Sequence, residues 1–293
     1  MKNPHKDSEY ENVMDIMAGA GKLLMGCLGS VKKVDNAKGE ICRSSHTTTA
    51  DVLSLSHIVN RLVDEFPQDG IIAEGLDDPD VVKLLSDELP LKEGRYLGQS
   101  GLYWVIDPLC GTIMHEKGIR DFIVSVGLVD ESAEIYFGCV HDPCHNETFY
   151  ATKGRGAYVM NDSTIKQIYV SETDSLKKAL VSIEHGLVRS EKKVAELADN
   201  IKRQRTAGTC GLELSYVSAG RIDAMLKMGQ PLYDYAGGLI ILEEAGGIAT
   251  DFDGNAVTKR PNYDKCTDLV CSNGKMHEQL LGYTKLFSHR KAA

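Results

Sequence analysis

The sequence predicts a layered α/β fold, and three observations carry that expectation. Two early segments, 8–29 and 48–63, repeat apolar side chains at helical spacing. The stretch 103–160 reads as a run of short strands divided by tight turns. Beyond residue 179, strand and helix patterns alternate to the end of the chain.

Val13, Ile16, Met17, Ala20, Leu23 and Leu24 mark the first helix. A polar loop over 30–47 follows, and Thr48 then caps a second helix bearing Leu53, Leu55, Ile58, Val59, Leu62 and Val63. A turn at 67–70 enters a short strand at 71–73, and the acidic stretch 76–100 reads as a lid or surface excursion. Strands are expected at 103–106, 122–129, 134–140, 147–151 and 157–159, forming a largely antiparallel meander. The second half predicts a strand at 179–183, a helix at 189–202, a strand at 202–206 and a helix at 209–220. A strand at 223–228, a helix at 234–245 stopped by Gly246 and Gly247, and a last pair of elements over 267–283 complete the chain. The expected organisation is one domain of two packed halves, about 8–155 and about 156–285.

A chain of 293 residues with 42% apolar content suits a globular protein with a sizeable core. A net charge of −9 argues against nucleic acid as a partner, because phosphate backbones are bound by basic surfaces. No apolar run approaches the roughly 20 residues that cross a bilayer. The charged N-terminus lacks a signal core and the LMGC box at 24–27 follows acidic residues, so a cytoplasmic location is expected. The eight cysteines show neither CxxC pairs nor zinc-finger spacing, and read as buried small residues rather than a disulfide framework. HDPCH at 141–145 is read as a turn between strands, in preference to a metal knot.

The chemistry concentrates in WVIDPLCGT at 104–112. An apolar strand delivers Asp107, Pro108 sets a turn, and Gly111 with Thr112 opens the next segment with free backbone N–H groups. Glu74 in IIAEG (71–75) and Asp234 in LYDYAGG (232–238) are the matching carboxylates. With these three motifs the chain resembles the inositol monophosphatase superfamily. Shorter matches follow in the family's order: AGAGKLL (18–24), TAD (49–51), GCVHDP (138–143), TKGRGA (152–157), TAGTCGL (206–212), AGRID (219–223) and EEAGG (243–247).

That resemblance implies the αβαβα layering of the inositol monophosphatase and fructose-1,6-bisphosphatase folds, and Mg²⁺-dependent hydrolysis of a small phosphorylated metabolite. A homodimer is also expected. By resemblance, Glu74, Asp107 and the Leu109 carbonyl hold one metal, while Asp107, residue 110 and Asp234 hold a second. Glu74 and Thr112 would position the attacking water, with Asp51 supporting Thr112. The Gly111 and Thr112 amides would cradle the phosphate. Arg205, Gly208, Thr209, Cys210, Lys227 and Asp234 would line the substrate.

Two departures stand out. The family's Asp-Pro-x-Asp-Gly-Thr carries Cys110 in place of its second aspartate. A thiol offers one soft atom where a carboxylate offers two hard oxygens. Three outcomes stay open: weak binding of the second Mg²⁺, a shift to Mn²⁺ or Zn²⁺, or loss of hydrolysis leaving a phospho-ligand-binding protein. A phosphocysteine is disfavoured, because no Cys-x₅-Arg loop is present. Lys227 stands where inositol-preferring members carry an acidic residue, and reads either as an outward surface lysine or as a ligand for a second anionic group on the substrate. Tyr233 replaces the family's tryptophan and Gly75 its second glutamate, so sugar phosphates, bisphosphates and phosphonucleotides are candidate substrates beside inositol phosphates.

Overall fold

The computed structural model describes residues 3–32, 47–76, 91–92, 95–162, 164–190, 192–257, 259 and 266–284. Helix α1 (Asp7–Gly26) and helix α2 (Thr49–Glu65) form where their spacing predicts. Leu23 and Leu53, counted on the apolar faces from sequence, are instead 42% and 50% exposed. Leu53 precedes Leu55 by two residues, about 200° around a helix, and so faces away from the core. The expected loop over 30–47 and the excursion over 76–100 lie largely outside the described residues.

Strands β1 (Gly70–Ala73), β2 (Leu91–Lys92), β3 (Arg95–Tyr96) and β4 (Leu102–Cys110) build one end of the first sheet. The short helix α3 (Thr112–Glu116) leads to β5 (Ile123–Asp130), β6 (Ile135–Asp142), β7 (Glu147–Thr152), β8 (Ala157–Asn161) and β9 (Thr164–Ile168). The strand order is β2-β3-β1-β4-β5-β6-β7-β8-β9. β1 and β4 run parallel, and the meander from β4 to β9 is antiparallel. β9 escapes the sequence pattern because four of its five residues are exposed.

The second sheet has order β11-β10-β12-β14-β13, with β10 (Leu180–Ile183), β11 (Arg203–Gln204), β12 (Ala224–Gln230), β13 (Ile248–Thr250) and β14 (Thr267–Ser272). Where a helix is expected over 189–202, the described residues are helical over α4 (His185–Ser190) and α5 (Lys192–Asn200), so helical structure begins four residues earlier than the sequence pattern indicates. Helices α6 (Cys210–Ser218), α7 (Leu232–Glu244) and α8 (His277–Thr284) are the remaining helices among the described residues.

Strand alternation sorts the core into layers. Trp104 and Ile106 of β4 pack with α1 and α2, whereas Val105 points the other way, toward Leu214, Ala236 and Ile240 of α6 and α7. On β12, Met225 faces those same helices, and Ala224 and Leu226 face Leu187, Val194 and Leu280 on the outer helices. The result is the expected αβαβα stack. Helix α7 lies unusually close to the first sheet, because a Cβ on Gly138 would fall 2.3 Å from the Gly237 carbonyl oxygen. That approach brings the first turn of α7, with Asp234, to the end of β4.

The turn expected at Pro108 is a β-bulge. Register passes from Asp107↔Ser125 to Cys110↔Ile123, so one extra residue enters β4 between them. Proline cannot donate to a ladder, and bulges are where an interior strand tolerates it. The extra residue reverses the alternation: Leu109 joins the α1/α2 side and Cys110 joins the inner layer.

Candidate active site

The parallel pairing of β1 with β4 ends at Ala73↔Ile106, and the Glu74 N–H donates to the Ile106 carbonyl at 3.1 Å. Glu74 is thereby set beside Asp107, and α7 delivers Asp234 from the second half of the chain. Ligand oxygens of Glu74, Asp107 and Asp234 lie within 4.8 Å of one another, and no other group of three metal-ligating side chains occurs among the described residues.

Such crowding raises every carboxyl. Burial, followed by the charges of Asp107, Asp234 and Asp51, pushes Glu74 well above the usual carboxylate range. Burial and then Asp107 do the same to Asp234, while Lys227 pulls it down. Asp107 rises to about 7, chiefly through burial. Three hard oxygen donors held together at this cost fit a divalent cation.

Around this cluster the backbone is tied down by short contacts. The Leu109 N–H donates to Asp107 Oδ1 at 3.2 Å, closing the bulge, and buried Ser54 of α2 donates to the Pro108 carbonyl at 2.6 Å. At the N-terminus of α2, Asp51 Oδ2 accepts from the Thr48 backbone N–H at 2.8 Å and from its hydroxyl at 2.5 Å, a capping box with aspartate in the third helical position. The other oxygen of Asp51 lies 3.1 Å from Thr112 Oγ1, which is also 3.0 Å from the Leu109 carbonyl. One hydroxyl proton serves one of these acceptors at a time, which leaves Thr112 oxygen lone pairs free to accept.

Gly111 adopts φ +99° as the cap of α3, and a Cβ there would fall 2.5 Å from Thr209 Cγ2 and 2.7 Å from the Asp121 carbonyl oxygen. Residues 111 and 209 therefore abut, and the start of α6 lies against the start of α3. Cys110 is buried between them. Burial, followed by the Asp107 and Asp234 charges, holds its thiol well above the usual thiol range. Cys110 thus stands at the centre as a buried neutral thiol.

The substrate-side residues scatter more. Thr209 and Cys210 are buried, and Thr209 Oγ1 has no hydrogen-bond partner. Gly208 donates its N–H to Glu213 Oε1 at 3.0 Å. Arg205 is exposed, with its guanidinium 5.4 Å from the Tyr216 ring centroid. Lys227 is not an outward surface lysine: only 5% exposed, it lies 3.3 Å from Glu213 Oε2. Glu213, which the motif reading passed over, could have been found as an acidic residue in the otherwise apolar GLELSYV of α6. In the 141–145 stretch His145 Nδ1 lies 2.7 Å from Asp142, whose other oxygen accepts from the Cys144 and His145 N–H groups, an Asx-type turn. Cys27, Cys110, Cys139, Cys144, Cys210 and Cys271 are free thiols, and Cys266 is disulfide-bonded.

A model of the inositol monophosphatase family matches residues 6–286. The chain belongs to that family. The fructose-1,6-bisphosphatase/inositol-1-monophosphatase of Thermotoga maritima is 33% identical over 205 residues, 69% of this chain and 75% of that protein. An inositol monophosphatase of Dictyostelium discoideum is 29% identical over 262 residues, 87% of this chain and 88% of its own length. Among solved structures, a Thermotoga maritima inositol monophosphatase superposes with a TM-score of 0.78 at 28% identity, covering 97% of this chain and 99% of that one. Family membership makes the chain a phosphatase-type hydrolase, and the comparisons lend no support to a non-hydrolytic reading. Among the described residues no helix is long and apolar enough to cross a membrane.

Proposed function

We propose that this member of the inositol monophosphatase family is a divalent-metal-dependent phosphomonoesterase acting on a small phosphorylated metabolite. The convergence of Glu74, Asp107 and Asp234 within 4.8 Å, beside the Thr112–Asp51 pair, carries the reading. Glu74, Asp107, Asp234 and the Leu109 carbonyl would hold the cation, with Mg²⁺ favoured by the all-oxygen donors. When bound, the metal neutralises phosphoryl oxygens and makes water more acidic.

The chain's own groups do the rest. Thr112 Oγ1, donating toward Asp51 or Leu109, accepts a hydrogen bond from the attacking water, and Glu74 takes its proton. Asp51 orients Thr112 and does not touch the substrate. The Gly111 and Thr112 amides hold the phosphate, and Gly208, Thr209, Cys210 and Lys227 face the leaving group, with Arg205 at its outer edge. The metal-site half supplies Glu74 and Asp107 and the substrate half supplies Asp234, so catalysis needs both. A cytoplasmic homodimer is the assembly we infer, on family resemblance, and sedimentation tests the dimer.

A screen of inositol phosphates, sugar phosphates, bisphosphates and phosphonucleotides with Mg²⁺, Mn²⁺ or Zn²⁺ tests the function. Turnover with at least one is expected, and Glu74→Gln should reduce it by roughly 100-fold or more. Glu74→Gln activity above about a tenth of the parent's would move the centre elsewhere.

A further inference from the structure

Ser125 of β5 carries a buried hydroxyl that the fold holds beside the carboxylate cluster and leaves without a hydrogen bond. The residue is 0% exposed, and its Oγ has no partner among the described residues. Buried polar atoms in native proteins are nearly always paired, so an orphan of this kind calls for a reason. Three other buried serines show the usual outcome. Ser54 donates to the Pro108 carbonyl at 2.6 Å, Ser215 to the Gly211 carbonyl at 2.8 Å and Ser218 to the Leu214 carbonyl at 2.8 Å.

Register fixes where that hydroxyl stands. Ser125 is the ladder partner of Asp107 on β4 and of Val140 on β6, and of these two side chains only Asp107 offers an acceptor. Side chains paired across an antiparallel ladder share a face, with Cβ atoms about 4.5–5.5 Å apart, so one rotamer change brings hydroxyl and carboxylate into reach. The shared face is the inner one. Ile123 and Val140 belong to the core built with α6 and α7, whereas Val124 and Val126 pack with α1 and α2. Both inner helices meet Ser125 with glycine. A Cβ on Gly237 of α7 would fall 2.7 Å from Ser125 Oγ. One on Gly211 of α6 would fall 3.8 Å from Ser125 Cβ and 3.7 Å from the Asp234 carbonyl oxygen. The orphan hydroxyl therefore lies between Asp107 and the helix turn that carries Asp234. Ser182, also buried without a partner, is paired in its ladder with apolar Met225 instead.

We propose that Ser125 is a positioning residue of the metal centre: when a divalent cation is bound, its hydroxyl donates to the Asp107 carboxylate across the β4–β5 ladder and holds that carboxylate in its ligating orientation. The proposal rests on reading Glu74, Asp107 and Asp234 as the hydrolytic centre. Asp107 Oδ1 is already tethered within β4 by the Leu109 N–H at 3.2 Å, and Ser125 adds a donor from the neighbouring strand. Carboxylates that ligate metals are themselves hydrogen-bonded, and losing such a partner typically weakens metal binding by about 10–100-fold. In the metal-free chain the same hydroxyl is desolvated without a partner, so alanine there is no less stable than serine. A serine kept only for packing would leave metal affinity untouched.

The experiment compares the full chain with its Ser125→Ala variant, which removes only the hydroxyl, by Mn²⁺ titration calorimetry and by thermal unfolding in EDTA. Ser125→Ala should bind Mn²⁺ at least about fivefold more weakly than the parent. Its unfolding midpoint in EDTA should equal or exceed the parent's. A smaller loss of Mn²⁺ affinity would overturn the proposal. So would a lower midpoint in EDTA, because the hydroxyl would then support the fold rather than the metal. Glu74→Gln separates this failure from failure of the centre itself. If Glu74→Gln retains parental Mn²⁺ uptake, the reading of the centre fails; if it loses uptake while Ser125→Ala keeps it, only the role of Ser125 fails.

Discussion

Replacing Asp107 by asparagine should stabilise the metal-free protein above pH 7 while destroying metal binding. The carboxyl of Asp107 is 1% exposed and rises from an ordinary 3.8 to about 7, chiefly because burial penalises its charge, with Asp51 adding to the effect. The folded state therefore holds a proton that the unfolded chain releases near pH 4. Stability from that proton is fully present below the unfolded value, falls as pH rises between 3.8 and about 7, and is gone above it. At about 1.4 kcal/mol per pH unit the interval comes to about 4 kcal/mol. Glu74 shares the proton, so about 2–4 kcal/mol, or on the order of 5 °C in Tm, is the expected gain for Asp107→Asn at pH 8. At pH 5 only about a third of it should remain. Thermal unfolding followed by circular dichroism in EDTA at both pH values reads this directly. With saturating Mg²⁺ the order should reverse, since the cation stabilises only the parent. An Asp107→Asn protein no more stable than the parent at pH 8 in EDTA, or equally stabilised at pH 5 and 8, would refute the electrostatic account.

Gly111→Ala meets both a left-handed backbone and a Cβ 2.5 Å from Thr209 and 2.7 Å from the Asp121 carbonyl, so a loss of about 2–4 kcal/mol in chemical denaturation is expected; a loss under about 0.5 kcal/mol would show that the α3–α6 junction is loose. Ser54→Ala removes the buried donor to the Pro108 carbonyl and should cost about 1–3 kcal/mol, with weaker Mg²⁺ binding because the bulge carries both Asp107 and Leu109; unchanged Mg²⁺ affinity would uncouple the bulge from the centre. Cys110→Asp exchanges a soft sulfur for hard oxygens beside Asp107 and should tighten Mg²⁺ roughly tenfold in calorimetry, erasing any preference for Mn²⁺ or Zn²⁺. Equal or weaker Mg²⁺ binding would mean that the neutral thiol is needed as it stands.

Local signals carried much of the fold. Thr48 marks a helix cap, and the structure shows it as the N-cap of α2, with Asp51 closing a capping box. Hydrophobic periodicity located α1, α2 and α7 to within a few residues, and alternation located β5 to β8, because burial on a helix stripe or a sheet face leaves a regular imprint. Where burial was weak the imprint failed: β9, exposed at four of five positions, was not legible. The gathering of Glu74, Asp107 and Asp234 was foreseen only through resemblance, since nothing local in residues so far apart says that they meet.

By itself, then, the chain determined its α/β class through periodicity, and its motifs, read in order, determined the family resemblance that implied the layer order and the chemical types at the centre. Tertiary structure decided which way the side chains point. Pro108 is compatible with a turn or a bulge, and only pairing with β5 on one side and β1 on the other selects the bulge that turns Cys110 inward. Lys227 is compatible with solvent or with burial, and Glu213, across from it on α6, makes burial tolerable. Both outcomes depend on partners from distant parts of the sequence, whose contact energies exist only once the layers have packed.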